Sequence, residues 1–324
     1  MAEPPRYFRT FKEISSREAF DPECEITLEN LASLVGEYHL VGDDEVPCQV
    51  RRQDRTARCD EPHKNGWLGR RQDGKEALIG AICGTKYFNA SSTFVTQRKR
   101  VTRELNIDRY IERLQNTRGS PEYAAELVRT VGRLKFVSEA TSGIRGRLPV
   151  SIAARLQNMA KSGNTGVGVL FRYEDEDDQG NPTIEWVPDQ IGTIAGTAVW
   201  DQPKFRELFQ SLHEIRDTLA QAEILREAGE RKLKLWADKL EELNPCTAGV
   251  SDLESALDAF TAPANLKLLC FLITNQNDAI EALKVAIEQE RRAPASESAA
   301  RELFKELSAQ IRNRAKGRSF RIDV

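Results

Sequence analysis

The sequence lacks long apolar runs and contains few aromatic residues. No stretch of about eighteen consecutive apolar residues occurs in the 324-residue chain, which argues against a membrane-spanning helix. The first ten residues show no apolar segment behind a basic one, so we expect no secretory signal and predict a cytoplasmic location. Aromatic residues make up 7% and charged residues 30% of the chain. This balance is typical of a helix-rich protein with much solvated surface.

Cysteine and histidine are scarce, but they are concentrated in one segment. Of six cysteines and three histidines, three cysteines and one histidine lie between Cys48 and Cys83. The order is Cys48, ten residues, Cys59, three residues, His63, nineteen residues, Cys83. Thiolate and imidazole ligands favour zinc over hard cations, and four protein ligands leave no open position for chemistry. We therefore predict a closed, structural Zn²⁺ site.

Of the four predicted zinc ligands, Cys48 fits the usual spacing least well. Ten residues separate it from Cys59, whereas zinc ribbons more often have about two to four. Cys24 is one alternative to Cys48, and His39 is another if the preceding segment folds back. Disulfides are disfavoured in a reducing compartment, so we interpret the scattered Cys246 and Cys270 as small apolar residues.

The segment resembles small zinc-binding elements of the treble-clef or ribbon kind. The resemblance is carried by Cys59, His63 and the turn 82–84, which reads Ile-Cys-Gly. It implies a module that binds a partner more readily than one that catalyses a reaction. An enzyme would need an open zinc with Glu61 as base, or Cys83 as a nucleophile activated by His63. A zinc-dependent or cysteine-based hydrolase is therefore kept as a second alternative, after the non-catalytic functions described below.

Charge is distributed unevenly along the chain. Residues 1–47 carry 4 basic and 11 acidic side chains, residues 48–165 carry 23 and 11, and residues 166–324 carry 20 and 28. A basic middle between acidic ends is the pattern of a segment that binds a polyanion. Within one turn of a predicted helix the basic residues are Arg98, Lys99, Arg100 and Arg103, which we predict as phosphate contacts.

Hydrophobic periodicity and turn residues divide the chain into segments. We predict helices at 25–40, from 94 to 161 with breaks at 119–121 and 143–149, and near the carboxyl end. Strands are predicted on either side of Asp73-Gly74, at 167–173 and 183–187 around an acidic turn, and at 191–200. An apolar seam from Phe205 to Leu243 and a second from Leu266 to Ile287 predict an antiparallel coiled-coil-like hairpin.

These patterns predict an α+β, predominantly helical protein of six segments. They are an acidic segment with one helix at 1–46, a zinc module at 47–95, a basic helical segment at 96–165, a β-hairpin insertion at 166–202, a coiled-coil-like helical hairpin at 203–292, and a helix with a basic tail at 293–324.

The function predicted from these patterns is non-catalytic. We expect a zinc-containing protein that binds nucleic acid, with DNA preferred, through the basic helices. Residues 203–290 are predicted to mediate self-association or contact with a protein partner. The alternative is a scaffold or adaptor subunit without nucleic-acid contact. No membrane contact is expected.

Overall fold

Two compact units make up the chain. The computed structural model describes residues 4–42, 44–52, 57–89, 91–176, 182–221 and 228–323. One unit comprises residues 1–119 and 221–238, and the other comprises residues 120–220 and 239–324. Helices account for 58% of the described residues, which confirms the prediction of a mixed, mainly helical fold. Within the described residues, no helix is both long and apolar enough to pass through a membrane.

The first unit is a four-stranded sheet with one long helix packed on it. In chain order its elements are β1 (Arg6–Phe8), α1 (Phe11–Ser15), β2 (Leu31–His39), β3 (Val46–Pro47), β4 (Pro62–His63), β5 (Asn65–Arg71), β6 (Glu76–Gly80), α2 (Ala81–Cys83) and α3 (Ser92–Arg118). The strand order is β1-β2-β5-β6, parallel between β1 and β2 and antiparallel elsewhere. β3 and β4 form a separate antiparallel pair.

Both faces of this sheet are covered, which is why every residue of β6 is buried. Leu68 and Leu78 belong to a cluster on one face, together with Tyr38. Their neighbours Trp67 and Ile79 belong to a second cluster, because side chains of adjacent strand residues point to opposite faces. The second cluster also contains Phe94 and Val101 of α3, and it therefore joins the basic helix to the sheet.

The helix predicted at 25–40 is wrong, since Leu31–His39 forms strand β2. Leu34, Val35 and Gly36 are buried consecutively, as expected of a strand covered on both faces and not of a one-sided helix. At Gly36 a Cβ atom would lie 2.1 Å from the carbonyl oxygen of Arg6, so the pairing with β1 requires glycine. By contrast, the predicted strands around Asp73-Gly74 are confirmed as β5 and β6, with Gly74 at φ +89°.

The second unit consists of helices with one three-stranded sheet. Its elements, with α7 beginning in the first unit, are α4 (Pro121–Arg145), α5 (Val150–Ser162), β7 (Gly166–Glu176), β8 (Pro182–Thr193), α6 (Gln202–Gln221), α7 (Glu230–Glu241), α8 (Leu243–Thr261), α9 (Pro263–Leu268), α10 (Gln276–Arg291), α11 (Glu297–Arg314) and β9 (Phe320–Ile322). The predicted breaks at 119–121 and 143–149 are confirmed, and so is the pairing of β7 with β8. Most of the acidic turn between them lies outside the described residues.

The strand predicted at 191–200 is wrong beyond Thr193, because Thr197–Trp200 forms a 3₁₀ turn. Gly196 has φ +69°, and a Cβ there would lie 2.0 Å from the carbonyl oxygen of Ala256. The chain turns here against α8 and cannot continue as a strand. The basic tail predicted at the carboxyl end also differs, since β9 pairs with β7 and Arg321 lies 4.4 Å from the ring centroid of Trp186.

The predicted coiled-coil-like hairpin is replaced by shorter helices. The first seam falls on α6 and α7, and residues 222–227 between them lie outside the described residues. The second seam is interrupted where the side chain of Asn275 accepts hydrogen bonds from the backbone of Asn277 and Asp278 and starts α10. α10 then packs mainly against α9 and α11. The helix predicted near the carboxyl end is confirmed as α11.

A buried carboxylate joins three parts of the first unit. The side chain of Glu76 is 0% exposed and forms ion pairs with Arg17 at 2.7 Å and with Arg70 at 2.7 Å. Burial alone would raise the pKa of Glu76, but the hydrogen bonds and charges of the two arginines outweigh it and hold the pKa below its ordinary value. This carboxylate therefore stabilises the fold in its charged form.

We predict that Glu76→Gln lowers the free energy of unfolding by about 2–4 kcal/mol, because two guanidinium groups lose their shared counter-charge. The folded-state pKa of Glu76 is lowered, so the stabilisation is complete above the unfolded-state pKa and is lost as the pH falls through the folded value. Urea unfolding at about pH 7 and about pH 3 measures both effects. The variant should lose less stability on acidification than the wild type, and equal losses would contradict this role.

Candidate metal centre

Three cysteine sulfurs converge at the edge of the sheet of the first unit. The Sγ atoms of Cys48, Cys59 and Cys83 all lie within 4.8 Å of one another. Cys48 and Cys83 are buried, whereas Cys59 is partly exposed. This is the one group of three or more potential metal ligands among the residues that the structure describes. The convergence is compatible with a metal site, as the spacing of the sequence predicts.

Local backbone structure explains how distant cysteines meet. Cys48 follows β3, and Cys83 ends α2, directly after β6. Backbone hydrogen bonds join Cys59 N–H to the Val50 carbonyl at 2.9 Å and Asp60 N–H to the Cys48 carbonyl at 3.0 Å. The chain therefore doubles back after Cys48 and returns Cys59 to the same place. Gly80 N–H donates to the Cys48 sulfur at 3.4 Å, which connects it to the end of β6.

A guanidinium group lies beside the sulfurs. Arg52 Nη2 is 2.7 Å from Cys59 Sγ and 4.0 Å from Cys83 Sγ, and the Cys83 thiol donates to Cys59 Sγ at 3.5 Å. The same guanidinium lies 5.7 Å from the ring centroid of Tyr87. Positive charge at hydrogen-bond distance favours negative charge on sulfur. Sequence reasoning did not assign this role to Arg52, because one arginine in a basic segment carries no distinguishing signal.

The three thiols differ in acidity according to their surroundings. Burial raises the pKa of Cys48 to about 12, although backbone N–H groups of Val50 and Gly80 oppose it. Burial also raises the pKa of Cys83. At Cys59, burial is outweighed by hydrogen bonds from the backbone of Glu61, from Cys83 and from Arg52, so its pKa is lowered. A bound dication would stabilise all three as thiolates, because metal binding displaces protons from sulfur ligands.

His63 lies beside the cysteines but is outside the group of mutually close ligand atoms. It shares with Cys48 and Cys83 the lining of a cavity of about 160 Å³. Its Nε2 atom is hydrogen-bonded to the hydroxyl of Tyr38, and its Nδ1 atom lies 3.2 Å from the Glu61 carbonyl oxygen. Burial lowers the pKa of His63, so the neutral imidazole that ligates metals is favoured.

Gly80 is the residue that allows the His63 ring to approach the end of strand β6. A Cβ atom at this position would lie 3.2 Å from the imidazole ring, which is tighter than ordinary packing. The ring therefore lies directly against the strand end whose N–H contacts the Cys48 sulfur. The sequence assigned neither Gly80 nor Tyr38 a role at this site, because the partners of both depend on the sheet.

Neither alternative ligand from the sequence joins the group. Cys24 is buried, but its thiol donates to the Glu76 carbonyl at 3.5 Å. His39 is exposed on β2. Of the residues named for the hydrolase alternative, Glu61 is exposed and lines the same cavity as His63. Cys83 donates to Cys59, and both His63 nitrogens contact other groups.

The four predicted phosphate contacts differ in availability. Arg98 donates to Asn89 at 3.2 Å and lies over the Trp67 ring. Arg100 donates to the Leu34 carbonyl at 3.3 Å and forms an ion pair with Glu104 at 3.3 Å. Lys99 and Arg103 are exposed, and because they lie four residues apart they share one face of α3. The structure thus separates two anchoring arginines from two solvent-facing cations.

We predict that purified protein carries about one zinc ion per chain, and that Cys83→Ser loses it because three ligands hold zinc much less tightly than four. Cys24→Ser is the matched control, since Cys24 is buried in the same cluster but outside the sulfur group. Elemental analysis after dialysis against a weak chelator gives the metal content. Metal-free wild-type protein that keeps its fold would contradict the prediction.

No family model, no curated protein and no solved structure matches the chain. Its function must therefore be inferred from the residues themselves.

Proposed function

We propose that the chain is a non-catalytic zinc protein that binds nucleic acid, DNA in the first instance, through helix α3. The observation that carries the proposal is the convergence of three cysteine sulfurs within 4.8 Å in the core that holds this helix. Zinc would be held by Cys48, Cys59 and Cys83, with His63 as the fourth ligand. Four protein ligands leave no open position, which supports a structural role for the metal.

His63 is proposed as the fourth ligand because of its position and its protonation. It lines the same cavity as Cys48 and Cys83, and the neutral form of its ring is favoured by burial. Tyr38 and the Glu61 carbonyl contact its two nitrogens, so one contact would remain to orient the ring if the other were exchanged for metal. Ligating histidines generally keep such an orienting partner on the second nitrogen.

Metal binding would be coupled to α3 through shared packing. Cys48 and Cys83 belong to the same buried cluster as Phe94 and Val101, the apolar side chains of the helix. The rings of Trp67 and Phe94 lie 5.7 Å apart in an edge-to-face arrangement. Loss of the metal would leave three thiols at the edge of this cluster and would loosen the helix that it anchors.

Binding to nucleic acid is supported by the exposed cations of this anchored helix. Lys99 and Arg103 share one exposed face, within a segment in which basic residues outnumber acidic ones by 23 to 11. Lysine and arginine contacts to phosphate give affinity without sequence preference, because phosphates are the same at every base. Arg98 and Arg100, by contrast, would contribute mainly by holding α3 on the sheet.

A scaffold or adaptor function is the second candidate, favoured by exposed apolar residues on α4. Val128 is 71% exposed and Phe136 is 65% exposed, and Val131 lies between them at 38%. Exposed apolar side chains grouped on one helix are typical of protein contact surfaces. This candidate would replace the first if the protein retained neither duplex nor single-stranded nucleic acid at low salt.

We predict that the double variant Lys99→Ala, Arg103→Ala weakens binding to a short DNA duplex and reduces the slope of log affinity against log salt by about 2, one for each lost phosphate contact. Fluorescence anisotropy at several salt concentrations measures the slope. The control is Arg301→Ala, Lys305→Ala, which removes two exposed cations at the same spacing on α11. Equal effects of both variants would argue against α3 as the binding surface.

For the fourth ligand, we expect His63→Ala to lower zinc affinity by at least about 100-fold, since removal of a ligand costs no less than removal of an orienting partner. His39→Ala should leave the affinity unchanged, because His39 is exposed and outside the sulfur group. Competition with a chromophoric chelator gives both affinities. Unchanged affinity in the His63 variant would leave three cysteines as the protein ligands and reopen the question of a free coordination position.

A further inference from the structure

We infer that Cys59 and Cys83 are a peroxide-sensitive thiol pair whose oxidation to a disulfide releases the metal. The inference rests on the proposed function for the metal site, but the chemistry of the pair does not require a bound ion. It assigns a modification site, and it provides a means of regulating the nucleic-acid contact through the structure of α3.

The thiol–sulfur contact between Cys83 and Cys59 points to this pair. Cys59 Sγ and Cys83 Sγ are 3.5 Å apart, and a disulfide bond is about 2.05 Å long, so the two atoms must approach by about 1.5 Å. Cys59 lies outside any helix or strand, and the inference places the required movement there. Cys48, in contrast, is held at the end of β6 by the Gly80 N–H.

The three cysteines differ in their exposure to solvent, and therefore to an oxidant. Cys48 is 2% exposed and Cys83 is 3% exposed, whereas Cys59 is partly exposed. The guanidinium of Arg52 lies at hydrogen-bond distance from the Cys59 sulfur, where it can stabilise the charge that moves during attack on a peroxide. Because Cys59 is the least buried residue of the three, the inference makes it the thiol that reacts with peroxide and Cys83 the resolving thiol.

The reaction balances with hydrogen peroxide as the oxidant. The Cys59 thiolate attacks one peroxide oxygen, the O–O bond breaks, and hydroxide leaves, which gives a sulfenic acid. The Cys83 thiol then attacks the sulfenic sulfur, the S–O bond breaks, and water leaves as the disulfide forms. Two electrons pass from the two sulfurs to peroxide. A dithiol reductant reverses the change by thiol–disulfide exchange.

Closing the disulfide removes two of the proposed metal ligands at once. Cys48 and His63 would remain, and two ligands do not hold zinc in a tetrahedral structural site. Because Cys83 shares its buried cluster with Phe94 and Val101, release of the ion would loosen the packing of α3. The phosphate contacts proposed for Lys99 and Arg103 would weaken as a consequence.

Other cysteines offer no comparable pair. Cys24, Cys246 and Cys270 are buried, and the thiols of Cys24 and Cys270 donate to backbone carbonyls. Among the described residues, they belong to no group of close ligand atoms. Limited oxidation should therefore affect one pair and spare these three residues.

The test is to titrate the zinc-loaded full-length chain with hydrogen peroxide and to follow three readouts. We expect a loss of about 2 Da in intact mass and a Cys59–Cys83 linked peptide after digestion. Zinc should be released to a chromophoric chelator at the same rate as the disulfide forms. A dithiol should reverse both changes. A disulfide that includes Cys48, or zinc release without any disulfide, would overturn the inference.

Variants keep the inference separate from the proposed function. Cys83→Ser should abolish the mass loss, while Cys24→Ser and Cys48→Ser should retain it, because both keep the 3.5 Å pair. Wild-type protein stripped of zinc should form the same disulfide. If the purified chain binds no zinc but still forms this disulfide, the proposed function fails and the thiol pair stands. If it binds zinc and the linked peptide is absent, the thiol pair fails alone.

Discussion

The constraint on which the first unit depends is the close approach of three sulfur atoms in a largely apolar core. Thiols of this kind gain little by meeting one another, and as thiolates they would repel. The fold nevertheless brings together Cys48, Cys59 and Cys83 from three separate segments, and it places backbone N–H groups and Arg52 around them. Such an arrangement is understandable if a cation balances the charge. The cluster then acts as a point of closure for the three segments that carry the cysteines.

The first unit therefore contains two clusters of ionisable side chains next to its sheet. At one point Glu76 pairs with Arg17 and Arg70, and all three charged groups belong to the chain itself. At the sulfur cluster, Arg52 is the one cation among the described residues that contacts the sulfurs. Its single charge would not offset three thiolates. The difference explains why the first site is interpreted as structural alone, while the second is interpreted as a place where an external ion binds.

Much of this architecture could be predicted from local patterns. The β5–β6 turn and the breaks between the long helices follow from short-range residue types, and the structure confirms them. The structure also brings together the three cysteines that the sequence concentrates in one segment. Strand β2 could not be predicted in this way, because its apolar residues also fit helical spacing, and the need for Gly36 arises only from contact with β1. The apolar seams were similarly ambiguous: an apolar stripe shows which face is buried but not which helix covers it. The roles of Tyr38, Arg52 and Gly80 depend on partners distant in sequence.

The discontinuity of the first unit has a consequence for its biogenesis. Residues 221–238 belong to it although about a hundred residues of the other unit precede them, and Asn106 of α3 donates a hydrogen bond of 2.9 Å to Glu230 of the late segment. On the ribosome the amino-terminal sheet emerges long before the piece that completes it. Until that piece arrives, the nascent first unit lacks the contacts that this segment supplies, and chaperone contact would be most valuable in this interval.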